Sequence, residues 1–212
     1  PVESDASYIH ELRKIQGVES IVPVVYRAGI IKQGDNIHGV LFKGLPVSDT
    51  RRNWPDSISL AVMIPSRLAE IASISSGDRM TAYFVGESMK VRQFNVAGVY
   101  ESLVEADDKI VVYAAAEDLQ RLEGWADNQV SAIEIILDKS HKTETAILEA
   151  SQEIGAKVNA YSEESDAPVV AVSSVSKYSQ LFDWLNLIDF NVFIILLLIV
   201  LVSMAIARSP AV

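Results

Sequence analysis

The sequence predicts an α+β protein in which an α/β unit is interrupted by a small β-rich insert and followed by one transmembrane helix. Three observations point to this fold class. Residues 1–45 and 129–177 each combine helical and strand-like hydrophobic periodicity. Residues 46–128, between them, hold mainly short strands with turn signals. Residues 178–208 begin with an amphipathic stretch and continue as a long apolar run.

The first block carries the pattern of a helix followed by two paired strands. We expect a helix over residues 6–16, which Gly17 ends. Strands are expected over residues 18–32 and 37–45, because both stretches are rich in β-branched residues. The apolar residues at helical spacing are Tyr8, Ile9, Leu12 and Ile15.

The middle block begins with a loop, residues 46–55, that is rich in Pro, Ser, Asp, Arg and Asn. This change of composition marks a candidate domain boundary. Alternating apolar residues further on predict short strands, and two helices accompany them. The predicted strands are 60–64, 80–85, 90–100 and 109–113, and the predicted helices are the one that starts at Pro65 and the one over 115–123, which Gly124 ends.

The third block repeats the α/β pattern of the first. Residues 130–137 are expected to form a strand, followed by a helix over residues 142–154 that stops at Gly155. A strand over residues 157–161 and an extended apolar run over residues 168–175 come next. The first and third blocks could share one sheet, which would make the middle block a domain inserted into another domain.

The run from Leu187 to Ala207 predicts a transmembrane helix. About 21 helical residues at 1.5 Å each span roughly 31 Å, which is close to the hydrocarbon thickness of a bilayer. The alternative is a buried core helix. It is disfavoured because this run is apolar on every face, whereas an ordinary domain helix keeps a polar stripe.

Four residues mark the expected membrane boundaries. Trp184 occupies the position of an interfacial aromatic residue, and Arg208 closes the other end as a cytoplasmic cation would. Asp189 and Asn191 shorten the strictly apolar part to about 16 residues, which is short for a lone span. Asp189 is therefore expected either at the outer interface or turned towards partner helices.

Composition limits the classes of function. The net charge is −10 and the pI about 4.8, so a nucleic-acid partner is not expected, because binding to phosphates needs a basic surface. The chain has no cysteine, which excludes disulfides and thiolate metal sites. Residues 1–5 are acidic and polar and do not resemble a signal peptide. Either a transmembrane helix precedes Pro1, or the protein is tail-anchored with a cytosolic domain.

No catalytic motif is visible in the sequence. The three histidines lie on different predicted elements without partners at metal-ligand spacing, and no nucleophile, phosphate-binding or dinucleotide motif is present. The paired carboxylates and two of the tryptophans are better explained as solvated loops and packing anchors. We therefore expect no enzyme activity, no cofactor and no metal. The histidines are His10, His38 and His141, the paired carboxylates are Asp107, Asp108, Glu163 and Glu164, and the tryptophans are Trp54 and Trp125.

Several stretches, taken together and in order, resemble the lipoprotein-releasing ABC transporter permeases. The stretch over residues 181–192, LFDWLNLIDFNV, resembles the start of the second transmembrane helix in that family and is the most specific. The others cover nearly the whole chain. They are IKQGDNIHGVLFKGL (31–45), IPSRLA (64–69), GDRMTAYF (77–84), FNVAGVYE (94–101) and DLQRLEGW (118–125) followed by QVS (129–131).

The resemblance implies a MacB-like periplasmic core domain on an FtsX-like permease. In that family the flanking α/β blocks, here residues 1–45 and 129–177, form a porter-like unit. Residues 46–128 would be the sabre-like insert, and residues 178–208 the start and the span of a transmembrane helix. The resemblance also implies a transmembrane helix before Pro1 and two after Val212. Residues before about 185 would then lie in the periplasm, beside the bacterial inner membrane.

The implied function is transport without chemistry in this chain. A cytoplasmic ATP-binding subunit would hydrolyse ATP, and its motion would reach the periplasm through the membrane helices. Further implied partners are a second permease copy or paralogue, membrane lipid, a lipoprotein substrate and a periplasmic lipoprotein carrier. The residues expected to contact lipid or substrate are Phe182, Trp184, Phe190, Phe193 and Ile194.

Other interpretations stay open at this point. A sister permease that exports small molecules, or one that relays motion to a cell-wall hydrolase, would share the fold. A tail-anchored binding module would have no transport role. Residues 207–212 do not resemble the family's continuation, so residues that couple to the ATPase are not expected within this chain.

Overall fold

The computed structural model describes residues 1–33, 36–50, 60–86, 88–102 and 110–208. Half of the predicted loop at the start of the middle block, residues 51–55 with Trp54, lies outside the described residues, as does the Asp107–Asp108 pair. For a further set the backbone alone is described. These residues are 33, 49, 50, 180–186, 189 and 205–208.

Nine strands and seven helices make up the described part of the chain. The strands are β1 Val2–Glu3, β2 Val18–Gln33, β3 Asn36–Leu45, β4 Ala61–Pro65, β5 Arg79–Phe84, β6 Lys90–Tyr100, β7 Val111–Ala115, β8 Gln129–Val130 and β9 Ala132–Leu137. The helices are α1 Ile9–Leu12, α2 Val47–Thr50, α3 Ser66–Ala72, α4 Ala116–Glu123, α5 Glu144–Tyr161, α6 Ser174–Lys177 and α7 Ser179–Arg208.

Six strands close into a small barrel in the order β2, β3, β7, β4, β6, β5 and back to β2. The β3–β7 and β4–β6 pairs are parallel, and the other four pairs are antiparallel. Because the ring of pairings is complete, the barrel has no free strand edge. The second half of β2 and all of β3 belong to this ring, although both precede residue 46 in the chain.

Three aromatic rings fill the centre of the barrel. Phe42, Phe84 and Phe94 are almost completely buried, and their ring centroids lie 5.0 to 6.2 Å apart. Helices α3 and α4 add Leu68 and Leu119 to the same core. Each ring therefore removes a large apolar area from water, and the tilted arrangement suits aromatic contacts.

Strand β2 is 16 residues long and continues out of the barrel into a second unit. Its first half pairs antiparallel with β9, from Val18–Leu137 to Val24–Ala132. Helices α1 and α5 pack against this strand pair, and we call the four elements the α/β unit. The first and third blocks of the sequence thus share a sheet, as the sequence analysis anticipated.

Two predicted elements of the α/β unit are wrong. The helix expected over residues 6–16 is regular only in α1, and turns with bonds between residues three apart carry the chain on to Ile15. Helix α5 does not stop at Gly155 but continues to Tyr161, so the strand predicted over residues 157–161 does not exist. Val158 extends the buried face of α5, and this packing outweighs the helix penalty of glycine, about 1 kcal/mol.

Several predictions from local pattern are confirmed. Strands β5 and β6 pair antiparallel as their alternation indicated. Helix α4 ends at Gly124, whose φ of 74° is the left-handed conformation that glycine adopts without strain. The four apolar residues predicted for the first helix all lie in the core, although that helix is short.

Helix α7 follows α6 directly and extends over Ser179–Arg208. Its described side chains, from Leu187 to Met204, are exposed. Among the residues that the structure describes, no helix combines the length and the apolarity needed to cross a membrane. The transmembrane helix therefore stays a prediction.

Candidate functional site

The predicted contact residues for lipid or substrate lie on α7. Phe190 and Phe193 are about 60% exposed, and Ile194 is 37% exposed. Spacings of three and four residues put these three side chains on one face of the helix. The structure therefore presents an apolar face with two aromatic rings at the start of the apolar run.

The remaining predicted residues of this helix are placed by their backbone or by exposure alone. Asn191 is exposed on α7. Phe182, Trp184, Asp189 and Arg208 lie within the bounds of α7, and their side chains are outside the described set. Their contact and membrane-boundary roles stay predictions.

The α/β unit contains a groove of about 900 Å³ between β9 and residues 168–174. Its floor is apolar and is formed by α1 and α5, with Leu12, Ile154 and Val158 among the lining residues. Polar side chains occur at its ends, where Lys142 and Lys177 line it. This groove was not anticipated from the sequence.

A polar cluster joins the barrel to the α/β unit. The Tyr26 hydroxyl donates a hydrogen bond to Glu134 Oε1, and Lys43 Nζ donates to Glu134 Oε2 at 2.8 Å. The same Lys43 ammonium lies 5.8 Å from the centre of the Tyr26 ring. We call these three residues the junction cluster, because β2 and β3 belong to the barrel and β9 to the α/β unit.

Burial and charge set the protonation of the junction cluster. Burial alone would raise the pKa of the Glu134 carboxyl. Hydrogen bonds from Lys43 and Tyr26, with the charges of Lys43 and Lys177, outweigh burial and hold this pKa below its usual value of 4.5. Burial, followed by the hydrogen bond to Glu134, raises the pKa of the Tyr26 hydroxyl. At neutral pH the cluster is therefore a carboxylate that accepts bonds from a phenol and an ammonium.

The junction cluster also lies near the chain that leads into α7. Lys177 lowers the pKa of Glu134 through its charge, and Tyr178 follows Lys177 directly in the chain. Both residues line the groove beside Glu134. The chain that leads into α7 therefore lies close to the junction cluster.

The residues around His141 resemble a serine triad in composition but not in geometry. His141 Nδ1 lies 2.9 Å from Asp138 Oδ1 and 3.0 Å from the Ser140 hydroxyl. A catalytic histidine needs the serine on one ring nitrogen and the carboxylate on the other. Here both meet the same nitrogen, and Asp138 also accepts the Ser140 hydroxyl and amide, so the group closes a turn.

In the part of the chain that the structure describes, no group of acidic and histidine side chains is placed to bind a metal. Within the described ranges, no three His, Asp or Glu side chains lie close enough to hold an ion. His10 lies on α1, His38 on β3 and His141 in the turn before α5. The three histidines are thus separate in space as well as in sequence.

The junction cluster was not predicted from the sequence. Glu134 is separated from Tyr26 by 108 positions and from Lys43 by 91 positions, so no local spacing connects them. One signal was present. Glu134 is a lone charge within the apolar strand AIEIIL, and a half-buried charge on a strand needs a partner.

Comparisons with known proteins gave two kinds of result. No family model matches the chain, and no curated protein matches it. The extracellular domain of the noncanonic ABC-type transporter YknZ from Gram-positive bacteria is similar in structure, with 16% identity and a TM-score of 0.44, over 74% of this chain and 84% of that chain. The periplasmic region of MacB from Actinobacillus actinomycetemcomitans has 13% identity and a TM-score of 0.46, over 74% of each chain. At these values neither similarity identifies a family or a function.

Proposed function

We propose that this chain is the periplasmic domain and second transmembrane helix of an ABC transporter permease in the bacterial inner membrane. The permease passes conformational change driven by an ATPase to the periplasm. Its substrate is a lipoprotein, which it extracts from the membrane and hands to a periplasmic carrier. The proposal rests on the ordered resemblance of residues 31–45, 64–84, 94–101, 118–131 and 181–192 to that family.

The proposed domain division follows the chain order read from the sequence. Residues 1–45 and 129–177 form the porter-like unit, residues 46–128 the sabre-like insert, and residues 178–208 the membrane helix with its start. In space the insert recruits the second half of β2 and β3 to close its barrel. The structure has two hydrophobic cores that one long strand connects, and the barrel core includes residues of the first block such as Val40 and Phe42.

The observation that carries a transmitting role is the way β2 and the junction cluster connect the two units. β2 is continuous through both, so neither can move without bending or carrying this strand. Glu134 adds a second connection through its hydrogen bond with Lys43. Glu134 also lies near Lys177, which is two residues before the start of α7. This arrangement supports the passage of motion from α7 into the barrel.

ATP hydrolysis belongs to a separate cytoplasmic subunit in this proposal, and this chain performs no catalytic step. The permease works with a second copy of itself or with a paralogue, so that two membrane helices enclose the substrate. The exposed face formed by Phe190, Phe193 and Ile194 contacts acyl chains there. Phe182 and Trp184 continue this contact towards the periplasm.

The test uses the full-length protein, co-expressed with each candidate ATP-binding subunit encoded near its gene. The variant changes Phe190, Phe193 and Ile194 together to serine, and lipoprotein release from spheroplasts to purified carrier is measured. Release should fall at least tenfold, while the ATP-binding subunit still copurifies. If release persists, the contact residues are wrong.

A matched control changes Val192, Ile195 and Ile199 to serine on the opposite face of α7. This control loses a comparable number of apolar side chains, and its release should stay within about twofold of wild type. Failure of any ATP-binding subunit to copurify with the wild-type protein would overturn the permease assignment and favour a tail-anchored binding module. Copurification without lipoprotein release would favour a sister permease.

A further inference from the structure

The groove in the α/β unit has a wall on each side that carries unpaired backbone. Over the described residues, β9 pairs with β2 alone, so its outer edge faces the groove. Residues 168–172 make no backbone hydrogen bond to any other described residue. Their exposure nevertheless alternates as in a strand, with Val170 and Val172 exposed and the residues between them turned inward. Two strand edges therefore face each other without partners.

The floor of the groove carries a second sign of an absent partner. The Tyr8 side chain is 2% exposed and lines the groove, yet its hydroxyl finds no hydrogen-bond partner in the described structure. A buried polar group without a partner is destabilising. The groove also holds about 900 Å³, whereas one water in the liquid occupies about 30 Å³. Its size suits a peptide segment.

The short strand β1 points into this groove. It pairs antiparallel with β8, with Val2 opposite Val130 and Glu3 opposite Gln129, and the Ser4 amide donates to the Asn128 carbonyl at 2.7 Å. In this register, each step back along the chain from Glu3 advances one residue along β8 towards β9. Residues before Pro1 would therefore lie against the outer edge of Ala132–Leu137.

We infer that the groove binds the segment joined to Pro1 on its N-terminal side. This segment adds a strand to the sheet. It runs antiparallel to β9, in continuation of β1. The chain passes from β9 through α5 to residues 168–172, which therefore run parallel to β9. One strand that is antiparallel to both fits between these two edges. The completed sheet has the order β2, β9, added strand, residues 168–172.

The geometry also defines the chemistry of the added strand. Opposite the six residues of β9 it needs about six residues, which extend over roughly 20 Å. Every second side chain faces the apolar floor made by α1 and α5 and is therefore apolar. The alternate side chains face away from the helices and are free to be polar. One of its backbone carbonyls, or a polar side chain, accepts a hydrogen bond from the Tyr8 hydroxyl.

Continuity with β1 favours this occupant over a strand from a second copy. A second copy would have to displace or bypass Val2, which itself lines the groove. The covalent connection also holds the segment beside the groove at a high effective concentration. A separate molecule would need a higher affinity to reach the same occupancy. The inference does not depend on the transporter proposal, because it concerns the completeness of one sheet.

Hydrogen exchange tests the added strand. We would compare the chain that starts at Pro1 with one that carries the ten residues preceding Pro1 in the full-length protein. The amides of β9 and of residues 168–172 should exchange at least tenfold more slowly in the longer chain. Equal rates in the two chains would overturn the inference.

A control extension of the same length, made of Gly and Ser, should give no protection. Equal protection by this control would also contradict the inference, because the groove would then accept any tether. Exchange in β5 and β6, which lie in the barrel, should be unchanged by either extension. A change there of the same size would show a general stabilisation instead of an added strand.

Cysteine cross-linking tests the register, and the chain has no cysteine that would interfere. Ala132→Cys is combined with a cysteine at either of the two positions before Pro1. Paired strands bring their Cα atoms within about 4.5–5.5 Å, a distance at which disulfides form. An intramolecular disulfide at one of these positions is the expected result. A disulfide between two molecules, or none at either position, would contradict the assignment.

Discussion

The barrel and the α/β unit bury their apolar residues to different degrees. In the barrel every strand has two neighbours. Among the described residues, fourteen apolar side chains larger than alanine lie at 2% exposure or less in the core around the barrel, α3 and α4. In the described part of the α/β unit β9 pairs only with β2, and Ile133 and Ile135 are only partly buried. Closure thus completes the barrel by itself, whereas the described strands leave one side of the α/β unit open.

This difference suits a division of labour. A closed barrel resists local opening, because each of its strands is held on both edges. The α/β unit contacts α6 through α5, and α6 leads directly into α7. In the proposed transporter the α/β unit receives motion and the barrel carries it as a rigid body.

The largest effect is expected from truncating the barrel core. Ile64 on β4 is fully buried, so Ile64→Ala leaves a cavity that its tightly packed neighbours cannot fill. The free energy of unfolding should fall by about 4 kcal/mol. Urea unfolding followed by circular dichroism, with the protein in detergent micelles, measures this value. A loss below about 2 kcal/mol would show that the barrel is loosely packed.

The same truncation in the α/β unit should have a smaller effect. Ile154 on α5 lines the groove, so Ile154→Ala enlarges a space that already exists. We expect the free energy of unfolding to fall by about 2 kcal/mol, at the lower end for this substitution. The same urea titration compares the two variants directly. Equal losses would remove the contrast between a closed and an open core.

Gly17 tests the turn that begins β2 in the α/β unit. Its φ of 88° is left-handed, and a Cβ there would lie 2.5 Å from His141 Nδ1. Gly17→Ala should therefore lower the free energy of unfolding by about 1.5 kcal/mol, mainly through backbone strain. In a His141→Ala background the contact is absent, so the loss should be smaller. An unchanged loss would assign the whole effect to the backbone and contradict the contact.

The junction cluster should contribute least to stability, because its groups are only partly buried. Glu134→Gln should lower the free energy of unfolding by about 1 kcal/mol at pH 7. The pKa of Glu134 is lower in the folded state, so its contribution is present above about pH 4.5 and is lost as pH falls through the folded value. The difference between wild type and variant should therefore shrink from pH 6 to pH 3. A difference that grows towards low pH would contradict this sign.

Local patterns in the sequence predicted much of the strand and helix content. Alternation identified β5 and β6, and the left-handed glycine at the end of α4 could be placed from its position after an apolar face. Both features depend on residues close together in the chain. The shared sheet of the outer blocks was predicted as a possibility, because both blocks combined helical and strand-like patterns.

Features that depend on distant residues could not be predicted. The parallel pairs β3–β7 and β4–β6 close the barrel, and neither leaves a mark in local sequence. Helix α5 passes through Gly155 because Val158 finds a core to pack against, which is a tertiary effect. The candidate site divides in the same way. The apolar face of α7 follows from spacing, whereas the junction cluster joins three residues from distant strands.

Native-state hydrogen exchange on the chain that starts at Pro1 tests the contrast between barrel and α/β unit most directly. We predict that amides of β4, β5 and β6 exchange only through global unfolding. Amides of β9 and α5 should exchange at least 100-fold faster, through local opening of the α/β unit. Equal protection in the two units would contradict the account. It would show that they unfold as one unit and that the groove does not lower the stability of the α/β unit against local opening.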